Sequence, residues 1–252
     1  IMKTINTIKK VSLATLVTFV LSFSSVFAQN DTMYIMKSGA IVGQYNVNTE
    51  VDSVIFYKPI VAQNDTAGTF TDSRDGNEYN WVQIGNQVWM AENLAYLPSV
   101  NMVADGSEDA AGSYYYVYGY DGTNVTDAKA TANYTTYGVL YNWTAAMDGE
   151  TSSTTNPSGI QGVCPTGWHL PSDAEWTELT DYLGGTSIAG CKLKETGTTH
   201  WDSPNTGATN ETGFTALPGG YRYNNGPFVN IGRNGYWWSA SEYSAASAWS
   251  RY

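Results

Sequence analysis

The sequence predicts an α+β fold: short helices around a small, mostly antiparallel sheet, with long loops and a small β appendage in front. Three observations carry this expectation. Between Cys164 and Gly185 the chain spells out one complete helix, with Pro171 before it, Ser172 and Glu175 set as a capping box, and Gly184-Gly185 after it. Short runs of strand composition, such as Tyr79–Ile84, Phe228–Ile231 and Tyr236–Ser239, are separated by turn residues. The 25 glycines, 19 tyrosines and 14% charged residues fit a loop-rich, strand-rich module better than a helical enzyme.

In the central helix Trp176, Leu179 and Leu183 recur at i, i+3 and i+7, while Asp173, Glu178 and Asp181 fall on other faces. It therefore lies on a core. Before it, Asp72–Asn77 reads as a turn, because Arg74 stands where a calcium loop of that pattern needs an oxygen ligand. Tyr79–Ile84 and Gln87–Met90 flank Gly85-Asn86 as a hairpin. From Asn101 to Thr136 the sequence reads as loop. The cluster Tyr114, Tyr115, Tyr116, Tyr118 and Tyr120 within it is open to two readings, a sticky recognition surface or the lining of ordinary strands. Leu140, Trp143 and Met147 predict a short buried helix over Tyr137–Met147, and Ile188–Glu195 another turn or two. Strands are expected in Phe214–Arg222, Phe228–Ile231, Tyr236–Ser239 and Ala246–Tyr252. The last ends without a polar tail, so the domain is expected to continue beyond Tyr252.

The amino-terminal part reads differently. Lys3, Lys9 and Lys10 precede an apolar run from Val11 to Phe23, too short to span a bilayer, which ends in Val26-Phe27-Ala28. Residues 1–28 are expected to be a signal peptide cleaved after Ala28, which makes the protein exported, in the periplasm, at the cell surface or outside the cell. No cysteine follows the run to take a lipid, and no second apolar stretch predicts a transmembrane segment in the mature chain. Residues 29–61 predict a small β segment with strands at Met33–Met36, Ala40–Tyr45 and Val51–Tyr57. A linker over 62–69 then leads into a main domain over 70–252.

Removing the three leader lysines takes the net charge from −11 to −14, a field that repels a phosphate backbone and excludes nucleic acid as a partner. Cys164 and Cys191 are the two cysteines. Export permits a disulfide between them, and two separate thiols fit equally. His169 and His200 have no neighbours that assemble a metal set, and their expected roles are structural. No cofactor is expected. Asp31-Thr32-Met33, Asp52-Ser53-Val54 and Asp65-Thr66-Ala67 resemble the bacterial O-glycosylation acceptor, Asp followed by Ser or Thr and an apolar residue, which would make Thr32, Ser53 and Thr66 acceptors.

Several ordered motifs carry a family resemblance: Asp75-Gly76 through Trp89-Met-Ala-Glu-Asn-Leu94, Leu140-Tyr-Asn-Trp143, Val163-Cys-Pro-Thr-Gly-Trp-His-Leu-Pro171, Phe214-Thr-Ala-Leu-Pro-Gly-Gly-Tyr-Arg222, and Trp238-Ser-Ala-Ser-Glu242. Over about residues 70 to 252 the chain resembles the Fibrobacter succinogenes major paralogous domain of Bacteroidetes-type exported proteins. That resemblance implies a C-type-lectin-like fold, distantly akin to formylglycine-generating enzymes. It also implies a final cysteine-containing strand that this sequence does not include.

The expected function is a ligand-binding or adhesion module without catalytic activity, for an extracellular protein or glycan. Residues 221–252 also resemble the variable segment of lectin-fold proteins diversified by retroelements. On that resemblance Tyr223, Asn224, Asn225, Phe228, Asn230, Tyr236, Tyr243, Ser244 and Ser247 are exposed binding positions, and Gly220, Gly232, Trp237, Trp238 and Trp249 are scaffold. An oxidase of the formylglycine-generating type is the alternative, but it needs a metal-binding cysteine pair near the chain's end, and Cys164 and Cys191 lie elsewhere. A metal-independent glycan-binding protein is the other, since the calcium-dependent sugar motifs of C-type lectins do not occur.

Overall fold

The computed structural model describes residues 2–3, 32–37, 40–46, 66–107, 112–244 and 247–252. The chain forms two compact units, one of Ile1–Ile5 with Thr66–Tyr252, the other of Asn6–Asp65. Strand β1, Met2–Lys3, belongs to the first unit. In the second unit, β2 (Thr32–Lys37) and β3 (Ala40–Asn46) pair antiparallel as a hairpin, as expected of the first two appendage strands. The third expected strand, Ser53 and the leader from residue 4 onward lie outside the described residues.

The first unit takes up the chain at Thr66, and β4 (Ala67–Thr71) begins inside the stretch read as linker. It pairs with β5 (Glu78–Ile84), whose Tyr79, Val82 and Ile84 point inward while Glu78, Asn80 and Gln83 are exposed. The turn at Gly85-Asn86 brings Ile84 opposite Gln87 and starts β6 (Gln87–Met90). Gly85 has φ +60°, the left-handed value such a turn favours.

Between residues 101 and 136 the expected loop contains structure. β7 (Tyr115–Tyr116) is followed by two short helices, α1 (Val125–Lys129) and α2 (Ala132–Tyr137). Each is started by one side chain: Asn124 accepts from the backbone N–H groups of Thr126 and Asp127, and Thr131 accepts from that of Tyr134. The expected helix over Tyr137–Met147 is instead three pieces. α2 ends at Tyr137, β8 (Leu140–Tyr141) pairs with β7, and α3 (Trp143–Met147) starts only after Asn142, whose side chain accepts from Ala145 N. Gly138 makes the break: its φ is +70°, and a Cβ there would meet the Leu94 carbonyl oxygen at 2.7 Å.

β9 (Trp168–His169) leads into α4 (Asp173–Tyr182), and α5 (Thr186–Leu193) follows. The capping box is present, with Ser172 Oγ accepting from Glu175 N and the Glu175 carboxylate from Ser172 N. Trp176, Leu179 and Leu183 are buried as their spacing predicts. The five-stranded sheet has the order β4-β5-β6-β1-β9. One core cluster joins it to α4 through Val82, Ile84, Trp89, Trp176, Leu179 and Phe214, with Trp89 and Trp176 rings 4.6 Å apart. A second cluster holds Tyr79, Met90, Cys164, Trp168 and Leu170, and a third Val117, Ala128, Val139 and Ala145.

Two hairpins close the chain, β10 (Gly219–Arg222) with β11 (Phe228–Ile231), and β12 (Trp237–Ser244) with β13 (Ser247–Arg251). Phe214–Pro218, expected as strand, is irregular apart from a parallel bridge between Lys194 and Ala216. Helix α4 braces the second hairpin. Trp176 Nε1 donates to the Trp238 carbonyl (3.3 Å), Ala240 N to that of Pro171 (2.8 Å), and Arg251 Nη1 meets Asp173 Oδ1 at 2.7 Å.

Candidate aromatic cleft

The first hairpin, β7–β8 and β12 enclose a cleft of about 350 Å³. Its walls come from four separate stretches: Tyr116, Tyr141 with Trp143, Tyr221 with Arg222, and Tyr236 with Trp238. Hydrogen bonds fix the floor. Trp238 Nε1 donates to the Tyr141 carbonyl (2.8 Å), and Trp143 Nε1 to that of Ser239 (3.0 Å). Gly220 gives the close approach at which this wall folds: with φ +67°, a Cβ would stand 2.5 Å from the Val229 carbonyl oxygen.

Arg222 ties the cleft to the loop at 103–107. Its Nη2 donates to the carbonyls of Val103 (2.6 Å) and Asp105 (2.8 Å), its Nη1 to that of Tyr223 (2.8 Å), and its guanidinium lies 4.2 Å from the Tyr116 ring centre. Every one of these acceptors is a neutral carbonyl, and the charges of Arg222 and Asp105 act on the Tyr116 hydroxyl in opposite directions. On the rim, Tyr221 packs edge-on against Tyr223 (5.1 Å) and Tyr236 (4.9 Å). A hydrogen bond with Tyr223, with some burial and the neighbouring phenols, pushes the Tyr221 hydroxyl up to about 12.

The residues expected to bind divide into three groups. Asn224 and Tyr236 line the cleft, and Tyr223 and Asn225 are exposed beside it. Tyr243, Ser244 and Ser247 sit at the far tip of β12–β13, where Tyr243 is 67% exposed and Ser244 pairs with Ser247. Phe228 and Asn230 are half-buried. Phe228 packs on Tyr118 (5.1 Å) and Tyr116 (6.4 Å), and Asn230 has φ +61° with its carbonyl accepting from Arg233 N and Asn234 N. Trp249, read as scaffold, is 47% exposed and lies edge-on to Tyr243 at 4.9 Å. Tyr116, Tyr141, Trp143, Tyr221 and Arg222 were not among the expected binding residues; the tyrosine cluster at 114–120 pointed to Tyr116, and the 221–252 segment contains Tyr221 and Arg222.

The other chemically capable groups are placed elsewhere. His169 Nε2 lies 2.8 Å from Glu175 Oε1, and Ser158 N donates to the other carboxylate oxygen at 3.1 Å. Both side chains are sealed, at 1% and 0% exposure. His200 Nδ1 meets Glu195 at 2.8 Å at a half-buried position. Cys164 and Cys191 are free thiols: Cys164 is buried in the second core cluster, and Cys191, on α5, faces Gly207. Among the described residues no group of three or more His, Cys, Asp or Glu could hold a metal ion, and no helix is long and apolar enough to cross a membrane. Thr66 is exposed, while Thr32 opens β2.

Fold and site together define a mixed α+β domain of few short helices and small antiparallel sheets around an aromatic cleft. Residues 82–252 match the family model described as the Fibrobacter succinogenes major domain, and the chain belongs to that family. Comparison with curated proteins and with solved structures returned no match.

Proposed function

We propose that the protein is an exported, non-catalytic ligand-binding module of C-type-lectin-like fold whose site is the aromatic cleft. The cleft itself carries the reading: about 350 Å³, lined by aromatic rings with one guanidinium and several amide and hydroxyl groups, has the size and mixed chemistry of a small-ligand site. The aromatic lining suits a partly apolar partner such as a sugar ring or an aromatic side chain. The binding positions expected at 221–252 supply its rim through Asn224 and Tyr236. Under this reading variation in that segment retunes the ligand while β12 and α4 keep the frame.

The test uses the exported chain on a glycan array and on immobilised extracellular proteins, with and without EDTA. Capture that survives the chelator and falls at least tenfold in Tyr236→Ser is the expected result. Capture abolished by EDTA, or indifferent to Tyr236, would sink the proposal.

A further inference from the structure

Asparagine followed by glycine occurs twice in the chain, at Asn225-Gly226 and Asn234-Gly235, and the fold treats the two pairs in opposite ways. The first lies in the connection between β10 and β11. Tyr223 N donates to the Pro227 carbonyl (3.1 Å) and Gly226 N to that of Tyr223 (3.2 Å), which makes residues 224–226 the turn. Asn225 is exposed, and among the described residues its side-chain amide makes no hydrogen bond. The second pair is held. Asn234 is half-buried and Gly235 buried. The Asn234 carbonyl accepts from Gly220 N (2.8 Å), so the peptide joining it to Gly235 cannot turn without breaking that bond. A Cβ on Gly235 would meet the Trp237 ring and the Leu217 carbonyl oxygen.

The amide carbon of an asparagine stands one five-membered ring away from the backbone nitrogen of the next residue. Both groups belong to one chain, so their reaction needs no encounter. When the next residue is glycine, no Cβ obstructs the approach and the backbone turns freely to the angle the ring requires. At Asn225 the one restraint on that nitrogen is its bond to the Tyr223 carbonyl, at a surface turn of the kind that opens without unfolding the domain. At Asn234 the same opening would have to displace Gly220 and Trp237 together.

We propose that Asn225 is a modification site, converted by its own neighbour and solvent water to aspartate and isoaspartate. Gly226 N forms a bond to Asn225 Cγ, the Cγ–Nδ2 bond breaks, and Nδ2 leaves as ammonia with the proton that Gly226 N gives up. Water then opens the cyclic imide. Addition at Cγ yields aspartate, addition at the backbone carbonyl carbon yields isoaspartate, and nothing is oxidised or reduced. Either product places a carboxylate on the turn beside Asn224, whose carbonyl accepts from Ser107 N (2.7 Å). Isoaspartate also lengthens the main chain by one carbon inside the hairpin. The step requires no ligand in the cleft and stands apart from the binding reading.

The full chain is incubated in mildly alkaline buffer made with oxygen-18 water, one sample folded and one in urea, then digested and its peptides fragmented in a mass spectrometer. In the folded chain residue 225 should convert to aspartate and isoaspartate, each carrying oxygen-18, at least tenfold faster than residue 234, and in urea the two rates should draw level. Gly226→Ala is the matched variant. Its Cβ meets nothing within 4 Å and φ at 226 lies outside the left-handed region, so it should keep the parent's thermal midpoint and slow conversion at least tenfold. Asn225 left intact in the folded chain when half of the urea sample has converted overturns the proposal. So do equal rates at 225 and 234 in the folded chain, a product without isoaspartate, or conversion in Gly226→Ala at the parent's rate.

Discussion

Asp72, 1% exposed at the first turn of the main sheet, stays ionised because of Arg74. Burial by itself would raise its pKa. The Arg74 side chain opposes this with Nη2 at 2.6 Å and Nε at 3.0 Å, its backbone N–H adds a bond at 3.0 Å, and its charge adds to both, so the carboxyl is held below its ordinary 3.8. A carboxyl depressed in the folded state contributes stability that is fully present above the unfolded pKa and is lost as pH falls through the folded value. Asp72→Asn should therefore flatten the acid side of the stability profile below about pH 4 and cost about 2 kcal/mol at neutral pH. Urea titrations at several acid pH values check this, and a variant with the parent's acid dependence would contradict it. Burial also governs the cysteines, pushing the Cys164 thiol up to about 12. Only the thiolate alkylates, so iodoacetamide should label half-buried Cys191 in the native chain and Cys164 only after denaturation. A mass matching a Cys164–Cys191 bridge would refute that expectation.

Helix α4 shows what one element draws from its first turn. Ser172→Ala removes a single cap acceptor and should cost about 1 kcal/mol. Glu175→Ala should cost about 3 kcal/mol, because it strands Ser158 N, Ser172 N and the His169 contact in a site closed to water. Equal losses in the two thermal unfolding curves would mean that the carboxylate serves the cap alone. This helix and the β5–β6 hairpin were legible in the sequence because cap, stop and turn residues sit within the elements they define. Helices α1 and α2 were not, since they have no apolar stripe and rest on Asn124 and Thr131. The spacing of Leu140, Trp143 and Met147 misled, because Gly138 and the cap at Asn142 divide the stretch between strand and helix. For the site, exposure at Tyr223, Asn224 and Tyr236 was expected from the resemblance of 221–252 to a variable segment, and the three residues lie in the connections beside the strands. The walls at Tyr116, Tyr141 and Trp143 come from β7, β8 and α3, far in sequence from the 221–252 segment, and only tertiary packing joins them to it. β1 was illegible for another reason: its residues read as the start of a leader.

On the scale of the whole molecule, aromatic residues serve two separate purposes, and stability can tell them apart. Trp89, Trp168 and Trp176 are nearly inaccessible in the core, whereas Tyr243, Trp249 and Tyr252 are 67%, 47% and 84% exposed. Exposed rings contribute little to folding, so the double change Tyr243→Ser and Trp249→Ser should alter unfolding by no more than about 0.5 kcal/mol. Trp238 belongs to the frame: its ring packs on the second core cluster and its indole N–H holds Tyr141, so Trp238→Ala should cost about 3 kcal/mol. If the tip of β12–β13 extends the recognition surface of the cleft, the double variant keeps its melting curve and loses at least tenfold in ligand capture. Unchanged capture in that variant, beside loss in Tyr236→Ser, would confine recognition to the cleft and leave the tip rings outside it. Two well-exposed aromatics would then lie on a surface that the cleft ligand never touches, and Tyr243 and Trp249 would need a different partner.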